Sequence, residues 1–202
     1  MQILVEFEES LTPMLIQGEH RVTDDEFYQF CADNPDLRAE RTAEGDLIVM
    51  PPPGTETGRR NMKLSMRLGT WAERDGRGQA FDSSTGYTLP NTAIRSPDAS
   101  WALDSKYNAL TMEEKRGHAP LCPDFVVELM SPTDRLSKVK AKMQEWIDNG
   151  AQLGWLLDPD RRTAYIYRPG RDPEQVVNPE RLIGEGPVTG FVLELADIWA
   201  PL

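Results

Sequence analysis

Glu128 lies inside Val126-Val127-Glu128-Leu129-Met130, a run that is otherwise apolar. An ionised carboxylate in such a setting costs several kcal/mol unless it is paired or holds a metal. Asp98 follows Pro97 and opens the run Ala99 to Leu103. Alone it says little, because Pro123-Asp124 repeats the same pair. Together the two say more. An Asp at the start of one strand and a Glu in the middle of its neighbour bring two carboxylates to one point, which suits a hard divalent cation such as Mg²⁺ or Mn²⁺. The other reading of Glu128 is a structural salt bridge to a Lys or Arg.

The segment after Glu128 carries Lys138, Lys140 and Lys142 around an apolar stripe of Leu136, Val139, Met143, Trp146 and Ile147. On a helix, Lys140 and Lys142 flank that stripe on opposite sides, while Lys138 points to solvent. A flanking lysine can lay its stem on the core and reach a cleft at the sheet edge. Lys142 is either such a residue or part of a solvated basic face. Arg59, Arg60 and Lys63, early in another helix, either contact phosphate or are ordinary surface charge. Glu40, just before a turn, reads by itself as a surface residue. The two cysteines, Cys31 and Cys122, and the two histidines, His20 and His118, have no zinc-site spacing, so chemistry falls to carboxylates and lysines.

The elements that must position these groups follow from local signals. Thr23 with Glu26 three residues on forms a capping box for a helix that Asn34-Pro35 ends. Arg38 to Met50 reads as a hairpin turning at Glu44-Gly45-Asp46, stopped by Pro51-Pro52-Pro53-Gly54. Thr57 to Arg74 is a well-buried helix, and a strand ends at Tyr87-Thr88-Leu89. Ala99 to Leu103 is a strand; Asp104 to Leu121 is loop-like with a short helix at Thr111 to Lys115. Phe125 to Met130 reads as a strand buried on both faces, with Asp124, Val126, Glu128 and Met130 sharing one side. Ser131 to Asp134 caps a helix from about Arg135 to Asn149, closed by Gly150. Leu153 to Leu157 and Ala164 to Tyr167 form a hairpin, with one or two further strands beyond. Ile3 to Glu8 is expected to be an edge strand or arm. This order predicts an α/β chain with a mixed sheet flanked by helices and extra terminal strands.

At 202 residues, 39% hydrophobic and 27% charged, the chain fits a single globular domain over residues 1–202. No apolar run is long enough for a bilayer. The first ten residues carry Glu6, Glu8 and Glu9 and no basic residue, which argues against a signal peptide and makes a cytoplasmic location the expectation. A net charge of −11 argues against a non-specific nucleic-acid coat protein, though not against an enzyme whose positive charge is local.

Ser96-Pro97-Asp98, Pro123 to Pro132, Lys142-Met143-Gln144-Glu145-Trp146, Gly150 and Gly154 to Pro159, in this order and spacing, resemble the Uma-two-type family of putative restriction endonucleases. That family belongs to the PD-(D/E)xK nuclease superfamily, and the likeness runs from about Val22 to Pro169. It implies a restriction-endonuclease-like core and Mg²⁺- or Mn²⁺-dependent hydrolysis of DNA phosphodiesters. Asp98 and Glu128 match the acidic motif residues, and Glu40 matches the early acidic residue that joins the metal cluster. Two positions after Glu128, where the superfamily carries lysine, this chain has Met130; the resemblance moves that lysine to Lys142, which orients water or stabilises charge. Double-strand cleavage often uses two active sites, hence an expected homodimer, with Ile3 to Phe7 a candidate exchanged arm. Two alternatives stand beside this: a non-catalytic binding or assembly module in which Glu128 and Lys142 form a buried ion pair, and a metal-dependent hydrolase of a small phosphorylated substrate.

Overall fold

The computed structural model describes residues 13–17, 20–50 and 52–200. The elements are, in chain order, β1 (Met14–Ile16), α1 (Asp24–Asp33), β2 (Arg38–Arg41), β3 (Leu47–Met50), α2 (Thr55–Asp75), β4 (Gly78–Asp82), β5 (Tyr87–Thr88), β6 (Ile94–Arg95) and β7 (Ala99–Leu103). They continue with α3 (Asp104–Tyr107), α4 (Met112–Arg116), β8 (Phe125–Leu129), α5 (Leu136–Asp148), β9 (Leu153–Asp158), β10 (Thr163–Tyr167), β11 (Glu174–Val177), β12 (Arg181–Ile183), β13 (Val192–Glu194) and α6 (Ala196–Trp199). The expected N-terminal strand at Ile3 to Glu8 lies outside the described residues.

The strands β11-β10-β9-β8-β7-β4 form the main sheet. Only the central pair β8 and β9 is parallel, and α5 is the crossover that parallel pairing requires. All five residues of β8 are buried, because both faces of the sheet are covered. On one face α2 packs Leu64 and Leu68 against Phe125, Val127 and Trp155, with Phe191 and Ile198 from the C-terminal segment. On the other, α5 packs Met143 and Trp146 against Val126, Leu156 and Tyr165. A second, smaller sheet, β1-β3-β2-β6-β5, is antiparallel throughout. It packs Leu47, Val49 and Ile94 on Phe27 and Phe30 of α1. Among the described residues no helix is long and apolar enough to cross a membrane.

The α1 capping box forms as its sequence requires: Thr23 accepts from the Glu26 amide while Glu26 accepts from the Thr23 amide. The start of α5 differs from expectation. Asp134 turns back to accept from the Ser131 amide and hydroxyl, at 2.7 and 2.8 Å, and leaves Arg135 as an N-cap without a side-chain bond. The carboxylate closes the local turn, a competing use open to any Asp in a loop. Three strands, β11 to β13, follow β10 rather than one or two, and Asp104 to Tyr107 forms a helical turn where loop was expected.

Candidate active site

The β7–β8 register pairs Ala99 with Val127 and Ser100 with Val126. Continued by one residue, it sets Asp98 opposite Glu128, so strand pairing alone brings the two carboxylates of the acidic motifs together. Asp98 is half-buried where β7 begins. One of its oxygens accepts from the Leu129 amide at 2.7 Å and the other from Asn61 Nδ2 of α2 at 2.8 Å. Glu128 is buried, and its Oε1 accepts from Trp146 Nε1 at 2.8 Å. The second Pro-Asp pair has a structural use: Asp124 accepts from the Leu103 amide at 2.9 Å and pairs with Lys106 at 2.8 Å.

From α5, Lys142 reaches into this corner. Its Nζ lies 3.0 Å from Glu128 Oε1 and 2.7 Å from Glu40 Oε1, and it donates to the Ser96 carbonyl at 2.9 Å. Glu40, delivered by β2, is buried rather than on the surface that its sequence context suggested. It also accepts from the Ser96 amide at 3.0 Å and pairs with Arg95 at 3.2 Å. Arg95 in turn holds Glu145 at 2.6 Å. Four carboxylates, Glu40, Asp98, Glu128 and Glu145, thus surround two cations, Lys142 and Arg95, which leaves the corner two negative charges in excess.

One ammonium cannot neutralise every carboxylate it touches. Burial opposes the charge on Glu40, but Lys142 and Arg95 outweigh it and hold Glu40 below its ordinary range. Glu128 is the surplus charge: burial, relieved in part by Lys142 and compounded by Asp98 and Glu40, pushes it up to about 7. Burial also raises Asp98 against the bonds from Leu129 and Asn61. Lys142 is held above its ordinary value because Glu128 and Glu40 overcome its desolvation.

The donor set is oxygen alone, which suits Mg²⁺ or Mn²⁺ and not a thiolate- or imidazole-seeking metal. Among the described residues no three His, Cys, Asp or Glu side chains converge as a ready cage. Magnesium commonly takes only one or two carboxylates and completes its shell with water and substrate phosphate, so Asp98 and Glu128 suffice. Asn61 adds an independent sign: its Oδ1 is buried without a donor among the described residues, beside the carboxylate that its amide nitrogen holds. An orphaned acceptor next to surplus negative charge fits a cation.

Residues 24–196 match the Uma2 family model, described as "Putative restriction endonuclease". The chain belongs to that family. A crystal structure of "a putative nuclease belonging to DUF820" from Anabaena variabilis ATCC 29413 is similar over 87% of this chain and 96% of that one. Its TM-score is 0.71 at 24% sequence identity, and the likeness establishes the restriction-endonuclease-like fold. No curated protein matches the chain. Within this Uma2 fold Met130 is buried beside Val126 and Met143, so the side chain two positions after Glu128 is core, and the ammonium at Glu128 comes from α5.

The three α2 cations expected to contact phosphate, Arg59, Arg60 and Lys63, are engaged with the C-terminal segment. Arg59 and Arg60 donate to the Ala200 carbonyl at 2.9 and 3.3 Å, Arg60 also pairs with Glu56, and Lys63 pairs with Asp197 at 2.9 Å. None of these partners belongs to the Lys142 cluster. The sequence reading missed Asn61, Arg95 and Arg38, whose charge acts on Asp98 from the same face of β2 as Glu40. Asn61 had a legible signal, since it falls on the buried stripe of Thr57, Leu64 and Leu68. Arg95 and Arg38 had none, because their partners are 50 and 45 residues away.

Proposed function

We propose that this Uma2 chain is a divalent-metal-dependent endonuclease that hydrolyses DNA phosphodiesters at Asp98, Glu128 and Lys142. The observation that carries it is the facing pair Asp98 and Glu128, with surplus negative charge and the Lys142 ammonium 3.0 Å from Glu128. Asp98 and Glu128, with the orphaned Asn61 oxygen at hand, would hold Mg²⁺ or Mn²⁺, and Glu40 would add charge from behind Lys142. When bound, such a cation supplies Lewis acidity toward a phosphoryl oxygen and acidifies water. Lys142 stays protonated at neutral pH, so it donates hydrogen bonds to the attacking water or the charged phosphoryl oxygens rather than accepting a proton. Trp146 and the Leu129 amide fix the orientation of Glu128 and Asp98. Arg38, which is not ion-paired among the described residues and whose charge acts on Asp98 after that of Lys142, is a further cation available to a phosphate.

One observation favours a second reading. Lys142 bridges Glu40 and Glu128 in a buried ion cluster, as a non-catalytic binding module would have. Cleavage of plasmid, linear and single-stranded DNA and of RNA, with Mg²⁺ or Mn²⁺, separates the two. Metal-dependent cleavage lost in Asp98→Asn and Glu128→Gln supports the nuclease. Absence of cleavage together with absence of Mn²⁺ binding by calorimetry supports the module.

A further inference from the structure

A groove of about 390 Å³ opens between α1, the turn at Ser84, Thr85 and Gly86, and the segment at Arg116 to His118. That size lies within the range of about 300–1,000 Å³ typical of small-ligand sites. It adjoins the carboxylate corner through Gly86. A Cβ there would lie 2.5 Å from the His118 ring in the groove wall and 3.5 Å from Oγ of Ser96, whose backbone binds Glu40 and Lys142. Arg38 makes the same connection, since it acts on Asp98 and donates to the Ser83 carbonyl at 2.7 Å.

The chemistry of the lining is specific. Tyr28 is 62% exposed, while its neighbours Phe27 and Phe30 are buried in the core. Arg116 is exposed and has no ion pair among the described residues. The nearby Glu114 carboxylate is spent on the Thr111 amide and hydroxyl. In a chain of net charge −11, no carboxylate among the described residues lines this groove. An open aromatic face and an uncommitted guanidinium, with the Thr85 hydroxyl between α1 and α4, match the three parts of a nucleotide: base, phosphate and sugar.

We propose that this groove binds one unpaired nucleotide of the substrate strand beside the cleaved bond, its base on Tyr28 and its phosphate at Arg116. The assignment rests on the nuclease reading of the corner and narrows its substrate, because a base inside a duplex cannot present its face to Tyr28. The substrate is therefore single-stranded, or locally unstacked, at that position.

The probe is thymidine 5′-monophosphate, which has no phosphodiester to cleave, with its 5-bromouracil analogue for photocrosslinking to the full chain. Crosslinks should map to the peptide containing Tyr28. Tyr28→Ala should weaken binding by about five- to a hundredfold, the usual loss on removing one stacking platform. Arg116→Ala should weaken binding of the monophosphate but not of thymidine, and make the monophosphate's affinity less sensitive to salt. Both side chains are exposed, and circular dichroism checks that the variants fold. No saturable binding, crosslinks elsewhere, or unchanged affinity in both variants overturns the groove assignment. Cleavage is scored separately. Cleavage that depends on Asp98 without a crosslink at Tyr28 leaves the nuclease and removes the groove; a crosslink at Tyr28 without cleavage does the reverse.

Discussion

Replacing Glu128 by Gln should make the protein more stable while abolishing its activity. Glu128 sits at about 7 against an ordinary value of 4.5, so folding disfavours its ionised form. At about 1.4 kcal/mol per pKa unit, the ionised carboxylate costs the fold about 3 kcal/mol once both folded and unfolded forms are deprotonated. The sign follows from proton binding. The folded state holds this proton more tightly, so the penalty from Glu128 is absent below pH 4.5 and grows as pH rises toward 7. A Gln keeps an acceptor for Trp146 and does not ionise. The variant should match the wild type in acid and exceed it by up to about 3 kcal/mol above about pH 7. Urea denaturation followed by fluorescence of the fully buried Trp101, Trp146 and Trp155 measures the difference, with the same slope for both proteins. Mg²⁺ should then narrow the gap, stabilising the wild type by about 2.7 kcal/mol at a hundred times its dissociation constant and the variant hardly at all. A Gln variant less stable than the wild type at alkaline pH would refute this reasoning: Glu128 would then be there to pair with Lys142, as in the module reading.

Lys142→Met should act in the opposite sense, destabilising the protein by about 3–5 kcal/mol at neutral pH, because Glu40 and Glu128 lose the ammonium they share. The loss should shrink in acid as the carboxylates protonate, which the same urea series reads. Two glycines of the main sheet should tolerate a methyl group very differently. At Gly78 a Cβ would meet the Ala102 carbonyl oxygen at 2.3 Å and the Trp101 ring at 2.5 Å, so Gly78→Ala should cost about 1–3 kcal/mol or more. At Gly154 the nearest atom is the terminal methyl of Met143, a flexible end that can swing away, and Gly154→Ala should cost under about 1.5 kcal/mol by thermal or urea unfolding.

What the sequence made legible is what local periodicity controls. Strand alternation put Glu128 on the face of Val126 and Met130, and the fold keeps it there against α5. The helical wheel left Lys142 open between cleft and solvent; its 2.7 and 3.0 Å contacts place it in the cleft, while Lys138 is exposed as expected. What escaped depends on pairing across the chain. Glu40 looked like a surface residue by its own context, because nothing near it in sequence shows that Arg95 and Lys142 converge on its carboxylate; only the family resemblance marked it. The separation of a second, five-stranded sheet from the main one was invisible for the same reason: β2 pairs with β6 across more than fifty residues through a single register position, Arg41 with Ile94. Asp134 escaped for a local reason, since a Ser-Pro-Thr-Asp turn offers the carboxylate two uses and no sequence rule ranks them.

The acidity of the chain, which argues against nucleic-acid binding when counted as a total, looks different when its charges are traced. Asp124 is bound to Lys106, Asp197 to Lys63 and Arg67, and Asp24 to Arg41. Glu26 and Glu114 close helix caps, and Asp82 and Asp134 close turns. These carboxylates are committed to internal partners, and none of them is among the residues that line the groove. The excess that matters is the pair of uncompensated charges around Glu128 and Asp98, and it is local. Without a counter-ion this corner repels phosphate; with a divalent cation its formal charge is cancelled, and Arg38 and Arg116 become the dominant field along the groove. On the proposed reading, then, affinity for a nucleic-acid strand is conditional on the metal, and the net charge of −11 suppresses binding wherever that condition is not met.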